Sequence, residues 1–160
     1  MIDAYLSEEL SCGSVVPQVS VLMTVYNGMP YLADAVESIL DQTLDDFQFV
    51  IVNDGSDQVT REYLATLTDS RITVLHQENG GTAAAANFGL TICTGEFIAR
   101  MDADDWAHPE RLQRQYDFMV SNSEVGIVGS QVAPMGSCGV GKSLNLPCEH
   151  NAIFDSLMQG

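Results

Sequence analysis

The sequence predicts an α/β fold in three layers, in which a doubly wound, mostly parallel sheet lies between two layers of helices. Two observations predict this fold. Apolar runs of strand length recur along the chain, and stretches with helical periodicity fill the gaps between them. The runs are nearly continuous, which is typical of strands that helices cover on both faces. Ligands bind such sheets at the carboxyl ends of the strands, so the residues that close each strand form the candidate site.

Five apolar runs rich in β-branched residues predict the strands. In chain order they are Val19–Tyr26, Phe47–Val52, Ile72–Leu75, Glu96–Met101 and Val125–Val128. Because parallel strands are joined by right-handed crossover connections, a helix is expected between each strand and the next.

Four helices are predicted from their apolar faces. The first carries apolar residues at helical spacing from Leu32 to Leu40 and has Pro30 in its first turn, where no amide hydrogen is needed. The third is the alanine-rich segment Gly81–Leu90, whose small side chains allow it to lie close to the sheet. The fourth begins at Pro109. The residues expected to face inward on the second and fourth helices are Tyr63, Leu64, Leu67, Leu112, Tyr116, Met119 and Val120.

The chain divides into three predicted parts. Residues 1–17 are a mixed lead-in that ends at Pro17, and residues 18–130 carry the alternation of strands and helices. Residues 131–160 lose this alternation, and the glycine-rich stretch Met135–Pro147 predicts a hairpin or a turn-rich loop. We therefore expect one main α/β domain with a small appended segment.

The chain is strongly acidic, with 22 acidic residues against 6 basic ones and a formal net charge of −16 at pH 7. Such a field repels nucleic acid and anionic lipid, so a nucleic-acid partner is not expected. It also repels a phosphorylated substrate unless a cation or backbone amides screen the charge. The alternative interpretation of the acidity is a highly solvated surface without a ligand.

Several features favour a cytoplasmic protein. The N-terminus carries Asp3, Glu8 and Glu9 instead of a basic segment, which argues against a signal peptide. The longest apolar runs have strand length and are too short for a transmembrane segment. The four cysteines show no C-x-x-C spacing, so we expect free thiols in a reducing compartment. Peripheral attachment to the inner face of a membrane stays open.

Two aspartates follow the fourth predicted strand. Asp102 and Asp104 flank Ala103, and residues at i and i+2 of a strand lie on the same side. Two such carboxylates can converge on one hard cation, and Mg²⁺ or Mn²⁺ takes one or two carboxylates together with substrate phosphates. The sequence therefore predicts a metal-bound diphosphate at this strand end. The alternative is a solvated acidic turn at the start of a helix.

The ends of the first two strands carry residues that suit a nucleobase. Asp54 can accept a hydrogen bond from an imide or amide N–H, while Tyr26 can stack on a base and Thr24 can bond it. Each also has an ordinary structural interpretation, with Asp54 in the turn before a helix and Tyr26 at the edge of the core. Taken together, the three strand ends predict one crevice with base contacts on one side and a metal on the other.

The segment Gly136–Ser143 matches the phosphate-binding pattern G-x-x-x-x-G-K-[ST], which opens a competing interpretation as a P-loop nucleotidase. A P-loop needs a helix that begins at its lysine and serine, here Lys142 and Ser143. Pro147 would interrupt that helix within about one turn, so a glycine-rich hairpin is the favoured interpretation.

Motifs along most of the chain resemble those of family 2 glycosyltransferases. They are Val19–Asn27 (VSVLMTVYN), Phe49–Ser56 (FVIVNDGS), Asn79–Gly89 (NGGTAAAANFG), Ala99–Asp105 (ARMDADD), Pro109–Gln115 (PERLQRQ) and Val125–Ser130 (VGIVGS). None of them is specific alone, but their order and spacing over residues 18–150 are.

The resemblance implies a Rossmann-like GT-A fold, a divalent metal, and transfer with inversion from a nucleotide-diphospho-sugar, typically a UDP-sugar, to an acceptor hydroxyl. Residues 18–130 are then the nucleotide-sugar-binding domain, and residues 131–160 hold the hairpin and begin the acceptor side. A polysaccharide, a lipid-linked glycan and a protein all stay open as acceptors.

The resemblance also assigns site residues. Those carried over as nucleotide-binding are Thr24, Tyr26, Asp54, Asp102, Ala103 and Asp104. The first two contact the base, and Asp54 bonds the base imide. Asp102 faces the ribose or the sugar, and Asp104, with Asp102 beside it, holds the metal that bridges the diphosphate.

The chain departs from the family pattern in two places. Many members have Ala-Arg-Asn with the arginine near the phosphates, whereas this chain has Ala85-Ala86-Asn87. Neutralisation of the phosphate charge should therefore depend more on the metal. The family's general base is a carboxylate well downstream of Asp104, and it is expected beyond Gly160. No catalytic base is therefore predicted here, and a non-catalytic or truncated module that binds the donor is the alternative function.

Overall fold

The computed structural model divides the chain into two compact units, Met1–Asn122 and Ser123–Gly160, and each is described by itself. The structure describes residues 16–136, 139–144, 146–149 and 151–153. Most of the predicted lead-in, residues 1–15, therefore lies outside the described residues.

The first unit contains a four-stranded parallel sheet. Its strands are β1 (Val19–Val25), β2 (Phe47–Asp54), β3 (Ile72–Gln77) and β4 (Phe97–Asp102). They lie in the order β3-β2-β1-β4, so the chain winds outward to β3 and then returns to the other side of β1. The winding direction therefore reverses between β1 and β4, where the register pairs Thr24 with Asp102. This reversal point is where doubly wound sheets form a ligand crevice.

Four helices follow the four strands of this unit. They are α1 (Leu32–Leu40), α2 (Gln58–Ala65), α3 (Thr82–Leu90) and α4 (Arg111–Ser121). The side chain of Asp57 caps α2, because its carboxylate accepts a hydrogen bond from the Thr60 N–H at 2.9 Å. Apolar residues of α1, α2 and α4 join one buried cluster, whereas α3 packs in a second cluster through Ala85.

The two clusters follow from the alternation of side chains along the strands. Odd-numbered residues of β1 and β2, such as Met23 and Phe49, are fully buried in the cluster of α1, α2 and α4. Even-numbered residues, such as Leu22 and Val52, pack with α3. A Cβ at Gly89 of α3 would collide with Leu22 and lie 2.8 Å from Val52 Cγ2. The expected close approach of this helix to the sheet is therefore confirmed.

The structure confirms the predicted α/β class and four of the five strands, with strand ends that differ by one or two residues. β2 continues to Asp54, which therefore belongs to the strand and not to the turn after it. Only β1 and β2 are buried almost throughout, because β3 and β4 are the outer strands of the four. The helix start at Pro109 and the inward position of Val120 were wrong: α4 begins at Arg111, and Val120 near its end is 55% exposed.

The fifth predicted strand, Val125–Val128, is also wrong. These residues have no regular structure, and Ile127 is 90% exposed. An apolar run becomes a strand only where it finds a hydrogen-bonding neighbour and a surface to cover, and Gly126 weakens its strand preference. A pattern of four residues carries no information about whether such a neighbouring strand is present.

The second unit contains the hairpin that the glycine-rich stretch predicts. Its strands, β5 (Met135–Gly136) and β6 (Gly139–Val140), pair antiparallel. The Gly141 N–H donates to the Pro134 carbonyl at 2.8 Å and closes the hairpin. Among the described residues of the whole chain, no helix is long and apolar enough to cross a membrane, and Cys93 and Cys148 are free thiols.

Candidate functional site

An open cavity of about 390 Å³ lies at the carboxyl ends of β1 and β4, where the winding direction of the sheet reverses. Five of the six residues predicted to bind the nucleotide line it, and Asp54 is the exception. The full lining consists of Thr24, Tyr26, Asn27, Gly28, Met29, Tyr31, Thr82, Asp102, Ala103 and Asp104. The two predicted halves of the site, base contacts and metal ligands, therefore share one cavity.

The connection after β1, which carries Tyr26, is held by hydrogen bonds to the turn after β2. The Asn27 N–H donates to Ser56 Oγ at 3.1 Å, and Asn27 Oδ1 accepts from the Asp57 N–H at 2.7 Å. Ser56 Oγ also donates to the Val25 carbonyl at 3.3 Å. Asn27 has a φ of 55°, a left-handed conformation that asparagine tolerates better than most residues. Tyr26 is thus fixed at the cavity wall while 58% exposed.

Asp102 and Asp104 are exposed residues of the same lining. Asp102 Oδ1 accepts from Arg100 Nη2 at 3.3 Å, in an exposed ion pair whose contribution to stability is small. The Arg111 guanidinium donates to the Arg100 carbonyl at 2.7 Å and thereby ties α4 to β4. The end of β4 is therefore anchored through its backbone, and the two carboxylates stay accessible to a ligand.

The third acidic residue of this turn, Asp105, lies near the charges of Asp102 and Asp104. Burial raises the pKa of Asp105, and the charges of Asp102 and Asp104 raise it further. Arg111 opposes this rise, but burial lowers the pKa of its own guanidinium. A divalent cation would offset the repulsion among these carboxylates.

The residues at this end of the cavity fit a metal that shares its coordination with a ligand. Within the residues that the structure describes, no group of three or more His, Cys, Asp or Glu side chains is placed to hold a metal. Asp102 and Asp104 line one cavity, however, and Mg²⁺ in nucleotide complexes is commonly held by one or two carboxylates, with phosphates and water as the remaining ligands.

Asp54 lies at the same edge of the sheet but inside the protein, at 4% exposure. Its Oδ1 accepts from Gln77 Nε2 at 2.7 Å and from the Gly80 N–H at 2.8 Å, and its Oδ2 accepts from the Gly81 N–H at 2.9 Å. The Gly80 N–H is the largest cause that lowers the pKa of Asp54, and burial partly opposes it. Direct contact between Asp54 and a base therefore stays a prediction.

Five residues of the lining had no ligand role predicted from the sequence: Asn27, Gly28, Met29, Tyr31 and Thr82. Asn27 and Gly28 lie within three residues of the end of β1 at Val25, and Thr82 follows the Asn-Gly-Gly string that precedes α3. Position after a strand was thus a usable signal for these three. Tyr31, which is 61% exposed beside α1, carries no comparable signal.

The alternative P-loop lacks its required helix. Lys142 and Ser143 follow the hairpin and have no regular structure, whereas a P-loop lysine and serine open a helix. Ser137 and Cys138 of the matching string lie outside the described residues.

Comparison with known proteins places this chain in a family. A model described as Glycosyl transferase family 2 matches residues 20–154. Since this match spans most of the chain, the chain belongs to the family 2 glycosyltransferases.

Two relatives show how much of a family member the chain represents. EpsH of Bacillus subtilis strain 168, a putative glycosyltransferase, is 43% identical over 98 residues, which are 59% of this chain and 28% of that protein. An uncharacterized glycosyltransferase of Haemophilus influenzae is 29% identical over 154 residues, which are 89% of this chain and 48% of that protein. The chain thus spans less than half the length of either relative.

Solved structures show the same architecture. TarS of S. aureus, in its 1–349 form with UDP-GlcNAc, matches with a TM-score of 0.60 and 26% identity over 66% of this chain and 32% of that one. The mannosyltransferase PcManGT of Pyrobaculum calidifontis, in complex with GDP-Man and Mn²⁺, matches with a TM-score of 0.57 and 26% identity over 66% of this chain and 33% of that one. The predicted GT-A fold is therefore confirmed.

Proposed function

We propose that this chain binds the nucleotide-diphospho-sugar donor of a glycosyltransferase, and that the donor is a UDP-sugar. The observation that carries the proposal is the common cavity, which is lined by both the predicted base contacts and the predicted metal ligands. The complexes of TarS with UDP-GlcNAc and of PcManGT with GDP-Man and Mn²⁺ support a donor of this class. The whole protein transfers the sugar to an acceptor hydroxyl with inversion in this proposal.

The nucleoside lies on the β1 side of the cavity. Tyr26 offers an exposed ring at the wall, and stacking on a base is tolerant of base identity because every base has a π-face. Thr24, at the end of β1, has a hydroxyl that can bond the base or the ribose. Asp54 completes this side in the proposal, since its strand is the next one in the sheet.

The diphosphate lies on the β4 side, where Asp104 and Asp102 hold Mn²⁺ or Mg²⁺. The metal supplies charge neutralisation for the departing diphosphate. The chain itself offers few cations that could neutralise a diphosphate, because it has 6 basic residues against 22 acidic ones, and α3 carries Ala85-Ala86-Asn87 where many members have an arginine. Binding of the donor should therefore depend strongly on the metal.

The proposal names neither a single acceptor nor the residue that acts as catalytic base. The proposal allows a polysaccharide, a lipid-linked glycan or a protein as acceptor, in the cytoplasm or at the inner face of a membrane. The base belongs to a carboxylate that the family carries downstream of Asp104. Because the chain spans less than half the length of the relatives described above, donor binding without turnover by the isolated chain is the second candidate function.

Calorimetric titration with UDP, GDP and ADP, each with and without Mn²⁺, tests the proposal. We expect UDP to bind with the highest affinity and only when the metal is present. Equal affinities with and without Mn²⁺ would contradict the metal assignment, and no binding of any nucleotide would contradict the donor site. Incubation with a UDP-sugar panel then separates the two candidates, since release of free UDP shows turnover and binding alone shows a donor-binding module.

A further inference from the structure

The connection between β4 and α4, residues 103–110, carries Asp104 near its start and is attached to α1 further along. Ala107 of this β4–α4 connection is 3% exposed and belongs to the same core cluster as α1. Its N–H donates to the Oγ of Ser38, a buried residue of α1, at 3.1 Å. The connection is therefore held by the core only three residues after Asp104.

Gln42, which follows α1 and is 4% exposed, makes a second attachment. Its Nε2 donates to the carbonyls of Ser38 and His108, each at 2.9 Å, so both hydrogens of the amide have an acceptor. Its Oε1 accepts from the Leu112 N–H at 2.9 Å. One side chain thus joins α1, the β4–α4 connection and the first turn of α4.

Gln42 also acts as a cap for α4. The N-cap residue of this helix, Glu110, makes no side-chain cap hydrogen bond among the described residues. The first N–H groups of a helix have no partner within the helix, so the Leu112 N–H relies on Gln42 Oε1. Leu112 is 1% exposed, and an apolar side chain at position 42 would leave its N–H unsatisfied in the core, which costs stability.

The start of α1 belongs to the cavity as well. Its N-cap residue, Tyr31, lines the same cavity as Asp104. The nine residues of α1 form a regular helix, which sets the distance between its two ends. Loss of the attachment at Gln42 should therefore let Asp104 move relative to Tyr31.

We propose that Gln42 and Ser38 are positioning residues, which hold the β4–α4 connection on α1 and thereby place Asp104 for the metal of the donor complex. Neither residue lines the cavity, so both act through the connection and not by contact with the donor. The effect on the metal rests on the proposed function, whereas the attachment of the connection does not. The two parts are therefore tested separately.

Tryptophan fluorescence tests the attachment without a ligand, because Trp106 is the only tryptophan of the chain and lies in the β4–α4 connection. In Gln42→Met, which keeps an unbranched side chain but removes the amide, we expect the rate constant for quenching by acrylamide to rise about twofold and the anisotropy to fall. Gln58→Met makes the same change at an exposed position and serves as the matched control. Unchanged quenching and anisotropy in Gln42→Met would overturn the proposal.

Titration with Mn²⁺ at saturating UDP, followed by the electron paramagnetic resonance signal of free Mn²⁺, tests the effect on the metal. We expect Gln42→Met to raise the dissociation constant of Mn²⁺ about tenfold, as for the loss of an outer partner of a metal site. The ratio of the UDP and GDP affinities at saturating Mn²⁺ should stay unchanged, because separate hydrogen bonds hold the connection that carries Tyr26. Unchanged Mn²⁺ affinity would overturn the proposal, and so would a ratio that falls to one, since it would show general damage to the cavity.

Two further outcomes keep the test decisive. If Gln42→Met does not fold, Ser38→Ala replaces it, since this smaller change removes only the hydroxyl that accepts from the Ala107 N–H. Ser38→Ala must then raise both the quenching of Trp106 and the dissociation constant of Mn²⁺, and unaffected values would contradict the proposal. If the unchanged protein binds no nucleotide, the proposed function fails, while the fluorescence of Trp106 still decides whether Gln42 holds the connection.

Discussion

The ends of β2 and β4 carry the same chemical group in opposite surroundings. At the end of β2, the Asp54 carboxylate is buried and accepts three hydrogen bonds from the protein. At the end of β4, Asp102 and Asp104 are exposed. Asp102 forms an ion pair with Arg100, which contributes little to stability because both side chains are exposed. Aspartates at the two strand ends thus differ in their partners: Asp54 accepts hydrogen bonds from the protein, whereas Asp102 and Asp104 are accessible to solvent.

This difference matters because the two kinds of aspartate should respond to mutation in different ways. A buried carboxylate whose partners are backbone amides leaves those amides unsatisfied when it is removed, and this costs stability. An exposed carboxylate that serves a ligand costs little stability when it is removed, but the ligand is lost. Substitutions at the two strand ends should therefore separate stability from binding, most strongly at Asp104.

Replacement of Asp104 by alanine should reduce the affinity for UDP in the presence of Mn²⁺ by about 100-fold or more, because loss of even an outer partner of a metal site costs about 10- to 100-fold. The free energy of unfolding should change by less than about 0.5 kcal/mol, as for most surface substitutions. Calorimetry and urea denaturation measure the two effects. If the UDP affinity of Asp104→Ala were unchanged and still required Mn²⁺, Asp104 would not be a metal ligand.

Thermal unfolding sharpens the comparison between the two strand ends. We expect Asp54→Asn to lower the melting temperature clearly and Asp104→Asn to leave it nearly unchanged, although both remove one negative charge. The reason is that asparagine at position 54 presents one carbonyl oxygen where the Gly80 and Gly81 amides now have two carboxylate oxygens. Equal shifts in the two variants would show that burial does not separate these aspartates.

Asp54 should contribute to the pH dependence of the free energy of unfolding. Its pKa is lowered in the folded protein, mainly by the Gly80 N–H, so near pH 4 the unfolded chain binds more protons than the native one. The stabilisation is complete above about pH 5 and is lost as the pH falls through the lowered pKa. Urea midpoints measured from neutral to acidic pH should therefore fall less steeply in Asp54→Asn. Asp57 and Asp69, whose pKa values are lowered too, will keep part of the slope.

Lys142→Ala should have no measurable effect on nucleotide binding. The residue follows the hairpin of the second unit and has no regular structure, so the string that it completes lacks the helix of a P-loop. The same UDP titration measures this. A large loss of UDP affinity in Lys142→Ala would show that the nucleotide binds the glycine-rich segment and not the strand ends.

Patterns that are local in the sequence were predictable. The apolar runs of β1 and β2 and the stripe of α1 reflect burial of nearly every residue on one face or both, so periodicity found them. The acidic pair at the end of β4 was likewise visible, because Asp102 closes the strand and Asp104 follows two residues later. The class of fold and one side of the cavity followed from these signals.

Features that depend on tertiary partners were not predictable. Val125–Val128 has the composition of a strand, but the structure gives it no regular structure, and no local pattern reveals the presence of a neighbour. The partners of Asp54 include two backbone amides, which leave no side-chain signal in the sequence. Tyr31 lines the cavity, but its neighbours in the sequence carry no signal that predicts this position.

Mapping of UDP binding by backbone amide resonances tests the central claim, which is that the cavity at the ends of β1 and β4 holds a metal-bound nucleotide. With UDP and Mg²⁺ we expect the largest shifts at Thr24, Tyr26, Thr82 and Asp102–Asp104. Replacement of Mg²⁺ by paramagnetic Mn²⁺ should then broaden the Asp102–Asp104 signals first. Shifts confined to residues 135–144, or broadening that spares the end of β4, would contradict the account.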